Sequence, residues 1–161
     1  MAAQLREMRW WDIEPVLKLD RELFPRGWTR DMFWYELARS RGPAASSYYL
    51  VAEAGGRHVG YAGIASRGYA FPPGQAHIQI IAVAADQQGA GLGGQLLTAL
   101  LRAATEFGCQ EVVLECRVDN GPAHKLYERF GFATTGVIRG HYISGQVDAQ
   151  VMLLNIPSIM I

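Results

Sequence analysis

The stretch Gln88-Gly89-Ala90-Gly91-Leu92-Gly93-Gly94 decides the fold. Before it, His77–Val83 is β-branched and almost wholly apolar, the composition of a central strand covered on both faces. After it, Leu92, Leu96, Ala99, Leu100, Ala103 and Phe107 recur at helical spacing, which predicts a long helix over about Gly91–Phe107. A glycine-rich corner between a buried strand and a helix can aim several N–H groups at one point, beside the positive end of the helix. Such a corner suits an anion, most naturally a phosphate.

Several readings of the corner compete. No Gly-Lys-Ser/Thr follows, so it is not a Walker loop. Gly89, Gly91 and Gly94 spell the dinucleotide pattern G-x-G-x-x-G, and Glu115 stands near the place of a ribose-binding acid. Yet about half the chain precedes the turn and only one more helix follows, which is a poor fit to a dinucleotide-binding sheet. Gln88, Gly91 and Gly93 also fit Q-x-x-G-x-G, an acetyl-CoA turn. A ligand-free glycine corner is the plain alternative.

Working outward, Gln4–Met8 reads as a short strand. Asp12 is placed to cap a helix whose stripe is Val16, Leu19, Leu23 and Phe24. Thr29 is placed to cap another, with Phe33, Trp34, Leu37 and Ala38 as its inner face and Gly42-Pro43 beyond its end. Tyr48–Glu53 and His58–Ser66 form a hairpin around Ala54-Gly55-Gly56-Arg57, and Gly68–Gly74 is a loop. Glu111–Val118 is a buried strand and Pro122–Phe130 a helix. Ala133–Tyr142 and Asp148–Asn155 pair around Ser144-Gly145. The expected fold class is α/β (a mixed α+β arrangement) in the order β-α-α-β-β-β-α-β-α-β-β, a mostly antiparallel mixed sheet flanked by helices. One domain over 1–161 is expected from the length.

Downstream stands Asn120-Gly-Pro-Ala-His-Lys-Leu-Tyr127-Glu-Arg-Phe-Gly-Phe132. With the glycine turn at this separation, the chain resembles the GNAT N-acetyltransferases, whose second signature is N-x-x-A-x-x-L-Y-x-x-x-G-F. Within that family, Leu114-Glu115-Cys116-Arg117, Phe24-Pro25 with Trp28-Thr29, and Arg139, Tyr142 and Asp148-Ala149 resemble the RimI group of ribosomal-protein-alanine N-acetyltransferases. Three features depart from that group's pattern: His141 replaces a tyrosine, Arg26 and Gly27 lengthen the aromatic segment, and Ala85 replaces a proline.

The resemblance implies direct transfer of acetyl from acetyl-CoA to an amine. The backbone of Gln88, Gly89, Ala90, Gly91, Leu92, Gly93 and Gly94 would hold the pyrophosphate. Ile81, Ala82 and Val83 would pair with the pantetheine arm, and Asn120 would bind near the reactive end; Asn120 is also placed to cap the next helix. Glu115 is the expected base and Tyr127 the expected acid. A structural ion pair between Glu115 and Arg117, and simple core packing of Tyr127, are the alternatives from position alone. Phe24, Trp28, Arg139 and Tyr142 would border the acceptor, with Tyr142 touching its backbone, although core packing suits Phe24, Trp28 and Tyr35 too. The implied acceptor is a protein N-terminus, the N-terminal alanine of a small-subunit ribosomal protein above all. A small-amine or lysine acetyltransferase and a non-catalytic acyl-CoA-binding regulator are the alternatives.

Composition narrows the partners. The 15 Lys and Arg balance the 15 Asp and Glu, which argues against broad capture of nucleic acid, an aminoacyl-tRNA included, or of an anionic membrane surface. Cys109 and Cys116 are too few for a disulfide framework, and their spacing fits no zinc site, so no metal is expected. The scattered histidines are read as surface or internally satisfied residues. No secretory signal and no membrane-length apolar run is present, so a cytoplasmic location is expected. The apolar Ile156–Ile161 is left between sheet packing and an interface.

Overall fold

The computed structural model describes residues 2–24, 27–66, 72–142 and 145–156. Pro25 and Arg26 of the aromatic segment, most of the Gly68–Gly74 loop, Ser144 and the tail beyond Ile156 lie outside them.

The strands are β1 (Gln4–Glu7), β2 (Ser47–Ala54), β3 (Arg57–Ala65), β4 (Gln75–Val83), β5 (Glu111–Arg117), β6 (Ala133–Tyr142) and β7 (Val147–Asn155). The helices are α1 (Ile13–Leu23), α2 (Arg30–Arg39), α3 (Leu92–Glu106) and α4 (Gly121–Arg129), so the expected order holds. One seven-stranded sheet runs β1-β2-β3-β4-β5-β7-β6. Among the described residues its only parallel pair is β4 with β5, joined through α3. No helix of the described residues is long and apolar enough to cross a membrane.

The parallel ladder is short. Gln75 pairs with Glu111, Ala76 with Val112 and His77 with Val113, and there it stops. On its other side β4 stays paired with β3 as far as Val83, while β5 stays paired with β7 as far as Arg117. The two strands therefore part after His77 and Val113. The cause lies in β4: Gly63 pairs with Ile80 and Ile64 with Ile78, leaving Gln79 as an extra, bulged residue. A bulge bends and twists its strand at that point.

Tyr49 holds the bulge from two strands away. It pairs with Gly63 across the β2–β3 ladder, and its fully buried ring lies over that glycine. Its hydroxyl donates to Gln79 Oε1. A Cβ at Gly63 would overlap the Tyr49 ring carbons, so this glycine is required by close approach.

β4 is not covered on both faces. Ala76, Ile78 and Ala82 are buried, but His77, Gln79, Ile80, Ile81 and Val83 are only partly so, because the second face borders the split. On α2 the inner face is Phe33, Glu36 and Leu37. Trp34 is 47% exposed and Tyr35 62% exposed, and Ala38 is exposed too, so none of the three is core. Burial raises the Glu36 carboxyl, and Arg39 at 3.1 Å counters part of that.

Thr29 caps α2 as expected, accepting from Met32 N at 3.3 Å. Asp12 does not cap α1. It is fully buried, accepts from Arg6 at 2.7 and 2.8 Å and from Arg9 N at 2.8 Å, and lies 2.8 Å from His58 Nε2. Asp12, Glu53 and His58 cluster closely enough for a cation, but Arg6 already bridges the two carboxylates.

Two outcomes follow from this packing. Gly63→Ala, which displaces the Tyr49 ring, should lower unfolding free energy by about 1–3 kcal/mol in urea titration. For Asp12, burial pushes the carboxyl up, but the bonds from Arg6, His58 and Arg9 outweigh it and hold the group at about 2, below its ordinary 3.8. A carboxyl lowered in the folded state stabilises fully above about pH 4 and loses that contribution as pH falls through about 2. Urea titrations at stepped pH should show a loss of about 2 kcal/mol across that window, absent in Asp12→Asn.

Candidate active site

The split between β4 and β5 opens a cleft of about 490 Å³. β4 contributes Ile78–Ile81, β5 contributes Leu114–Arg117, and α4 contributes Ala123 and Tyr127, with Asn120 just before it. Asp20, Phe24, Gly27 and Trp28 form the wall at the α1–α2 side, and Tyr142 of β6 stands opposite.

Glu115 sits on β5 just past the last β4–β5 pair. Its Oε2 lies 2.6 Å from Nε2 of His77, the last β4 residue in that ladder, and both side chains are 22% exposed. The parallel register brings them together, so the imidazole backs the carboxylate from the closed end of the split. Arg117 is engaged elsewhere. It forms a two-pronged pair with Asp119, both bonds at 2.8 Å, and stacks over the Tyr142 ring at 5.7 Å. The Glu115–Arg117 ion pair considered above does not form among the described contacts.

Tyr127 lies deep in the cleft, edge-on to Phe132 at 5.9 Å. Burial first, then neighbouring Cys116 and Tyr142, push its hydroxyl well above the usual phenol range. It therefore remains protonated at any physiological pH, at the expense of being a weaker acid than a free tyrosine. The Tyr142 hydroxyl donates to the Glu115 carbonyl oxygen at 3.3 Å and is pushed up to about 12 by burial and the Glu115 charge. Cys116 is a buried thiol, raised by that burial.

Asn120 caps α4, its Oδ1 accepting from Ala123 N at 3.2 Å, and it also lines the cleft. Both roles proposed for it from the sequence are thus geometrically compatible.

The glycine turn divides into two pairs. Gly89 and Gly91 have φ of 84° and 86°, and a Cβ built on either meets no atom within 4 Å. They are glycines for backbone conformation, and they face open space. Gly93 and Gly94 begin α3 in ordinary helix. A Cβ on Gly93 would lie 3.3 Å from Leu126, so Gly93 lets α4 approach closely, whereas one on Gly94 would make only ordinary contact at 3.8 Å with Leu126 and Phe130. Gly91 is the N-cap residue of α3 and no side chain caps the helix, leaving its first N–H groups toward the turn. Gln88 ties the turn to β4, donating from Nε2 to Val83 O at 3.0 Å.

Of the other expected residues, Phe24, Trp28, Ile81 and Tyr142 line the cleft. Ala82 points into the core, as alternation along the strand requires, and neither it nor Val83 borders the cleft. Arg139 is exposed on β6, outside the lining. Sequence reading missed His77, Gln79, Asp20 and Cys116. Only the parallel register shows that His77 meets Glu115, and no spacing rule reports a bulge.

The Acetyltransferase (GNAT) family matches residues 13–132. The chain is 36% identical over 143 residues to N-alpha-acetyltransferase RimI of Mycobacterium tuberculosis, covering 88% of this chain and 85% of that one. It is 31% identical over 159 residues to an N-alpha-acetyltransferase of Sulfurisphaera tokodaii, covering 92% and 90%. In fold it is similar to the ribosomal-protein-S18-alanine N-acetyltransferase of Escherichia coli, with a TM-score of 0.78 at 24% identity over 96% of this chain and 94% of the other. It is also similar in fold to yncA of Salmonella typhimurium with its cofactor acetyl-CoA, with a TM-score of 0.78 at 22% identity over 97% and 95%.

Replacing Asn120 by Ala should lower stability by about 1 kcal/mol through loss of the α4 cap, read as a fall in melting temperature. The cleft, the glycine turn that precedes α3 and the matched span of 120 residues agree: the chain belongs to the GNAT acetyltransferase family.

Proposed function

We propose that this acetyltransferase moves the acetyl group of acetyl-CoA to the α-amine of a protein N-terminus, with the N-terminal alanine of a small-subunit ribosomal protein as the preferred acceptor. The observation that carries the reading is the Glu115–His77 pair at the closed end of the split, in a cleft shared with Tyr127. The names of the relatives support the acceptor class.

Acetyl-CoA suits the residues present and supplies the acetyl group activated as a thioester. A Cβ at Gly89 or Gly91 would meet only open space, and α3 starts at this turn with no side-chain cap, so its first N–H groups are left for the phosphates. The β4 edge at Ile81–Val83 has no β5 partner. That edge and Asn120 are the proposed contacts for the rest of the molecule, from Gln88 through Gly94 to the cleft.

The acceptor amine must lose a proton to attack. For an α-amine with a pKa of about 7.7–8.0 that costs only ~1 kcal/mol at pH 7, against roughly 5 kcal/mol for a lysine near 10.4. A carboxylate is base enough for the first and poorly matched to the second. Glu115 takes the proton, directly or through a water, and the His77 imidazole holds the carboxylate in place. Tyr127 keeps its proton until a thiolate forms beside it and then donates from the hydroxyl. Because burial raises that hydroxyl, the donation depends on fixed geometry more than on intrinsic acidity. Phe24 and Trp28 on one side and Tyr142 on the other border the acceptor. Buried Cys109 and Cys116, not joined in a disulfide, suit a reducing cytoplasm.

Thiol release from acetyl-CoA should appear with an alanine-starting peptide, and be nearly absent with the same peptide N-blocked and with a free polyamine. Transfer to an internal lysine of the blocked peptide alone would overturn the α-amine reading, and tight acetyl-CoA binding with no turnover on any acceptor would favour a regulator. Tyr127→Phe should lower kcat roughly 10²-fold with acetyl-CoA affinity kept within about twofold, and Glu115→Gln should lower kcat similarly. Full turnover by either variant removes that residue from proton transfer.

A further inference from the structure

Asp20 is a carboxylate buried to 0% exposure beneath the α1–α2 side of the cleft, and no step above uses it. A polar group so deep must be matched by fixed hydrogen-bond partners. Its two oxygens have different partners. Oδ1 accepts from the hydroxyl of Tyr61, itself fully buried on β3. Oδ2 accepts from the backbone N–H of Trp28 at 2.8 Å. The backbone of the same residue acts as well, since Asp20 O accepts from Phe24 N at 2.8 Å at the end of α1. Asp20 thus fastens both described flanks of the segment that walls the cleft, one through its main chain and the other through its side chain.

Gly27 gives a second, independent sign. Its backbone presses so closely on Asp20 that an added Cβ would overlap Oδ2. Its φ is not in the left-handed region, so contact with the carboxylate is what requires a glycine there. Once Trp28 is drawn down, its ring packs on Phe33 at 4.9 Å and on Tyr49 at 5.6 Å, which leaves its cleft face fixed.

We propose that Asp20 is a positioning residue for the acceptor, holding Phe24, Gly27 and Trp28 as a rigid wall that the incoming peptide N-terminus packs against. This rests on the acceptor side assigned above. Tyr61 anchors the carboxylate to the sheet, so the wall is referenced to β3 and through it to β4, whose far edge borders the cleft. Among the described residues, the hydrogen bonds of Asp20 go to Tyr61, Phe24 and Trp28 and not to the glycine turn or α4, the proposed acetyl-CoA end. Loss of the clamp should therefore affect one substrate and not the other.

The test uses the full chain carrying Asp20→Ala, Asp20→Asn or Gly27→Ala, read in two ways. In hydrogen–deuterium exchange, the Trp28 amide should exchange at least tenfold faster in Asp20→Ala, with β3 and β4 amides unchanged. In steady-state kinetics, KM for the alanine-starting peptide should rise at least tenfold, while KM for acetyl-CoA stays within about twofold. Asp20→Asn, which keeps the shape and one acceptor oxygen, should move both readings the same way but less. Gly27→Ala, which pushes the carboxylate aside, should reproduce the KM split. If Asp20→Ala does not fold, the other two variants decide. Unchanged Trp28 exchange with unchanged peptide KM overturns the inference, as does a parallel loss for both substrates. If the wild type acetylates no α-amine, the proposed function falls instead, and the exchange measurement still decides whether the clamp exists.

Discussion

The cleft of this chain depends on β4 and β5 separating after three residue pairs. A sheet that stayed zipped would have no cleft, and Glu115, Tyr127 and Tyr142 would face a closed surface. Separating two strands leaves backbone N–H and C=O groups without sheet partners, which is unfavourable unless something else satisfies them. The structure confines that loss to one edge of each strand. β4 keeps its ladder to β3, β5 keeps its ladder to β7, and only the facing edges give up bonds. Those edges border a space where water or an extended ligand can replace what the sheet gave up.

What keeps the strands apart is a short chain of contacts across the sheet. The missing side chain of Gly63 lets the Tyr49 ring lie over β3, and the Tyr49 hydroxyl reaches Gln79 at the bulge. The bulge turns the following residues of β4 away from β5. Tyr61, on the same strand as Gly63, carries the hydroxyl that holds Asp20. Two buried tyrosines thus connect the core to different parts of the cleft, one to its β4 edge and one to its α1–α2 wall. A core built only of Leu, Ile and Val would pack as densely but could not specify where either part sits, since dispersion carries no direction and a hydroxyl does.

Element order was readable because it depends on local signals. The helical spacing of Leu92, Leu96 and Leu100, the Gly55-Gly56 turn and the Thr29 cap each act over a few residues. The glycine turn was readable as a strand–helix corner for the same reason, though its glycines serve two purposes: Gly89 and Gly91 allow the backbone conformation, and Gly93 gives α4 room. Burial was less legible where a residue's partner lies far along the chain. Trp34 looked like core and is exposed, because Glu36 takes the inward position on α2 and stays there with Arg39. Asp12 looked like a cap, but Arg6 and His58, 46 residues apart from it in the latter case, draw it into an ion cluster. His77 gave no sign of importance, since its partner Glu115 is 38 residues away and only the parallel register unites them.

The same register decides which partner Glu115 meets in a chain with no net charge. Arg117, two residues from Glu115 on the same strand, was the obvious partner, and an arginine there would hold the carboxylate as a permanent ion pair. Asp119 takes Arg117 instead, through two parallel bonds, in the turn that follows β5. Glu115 is left to the His77 imidazole, 2.6 Å away at the end of the parallel ladder. The local pairing of Arg117 with Asp119 is therefore as much a part of the site as the residues that line it. The balanced charge count conceals this arrangement, since what matters is which acid each base is paired with.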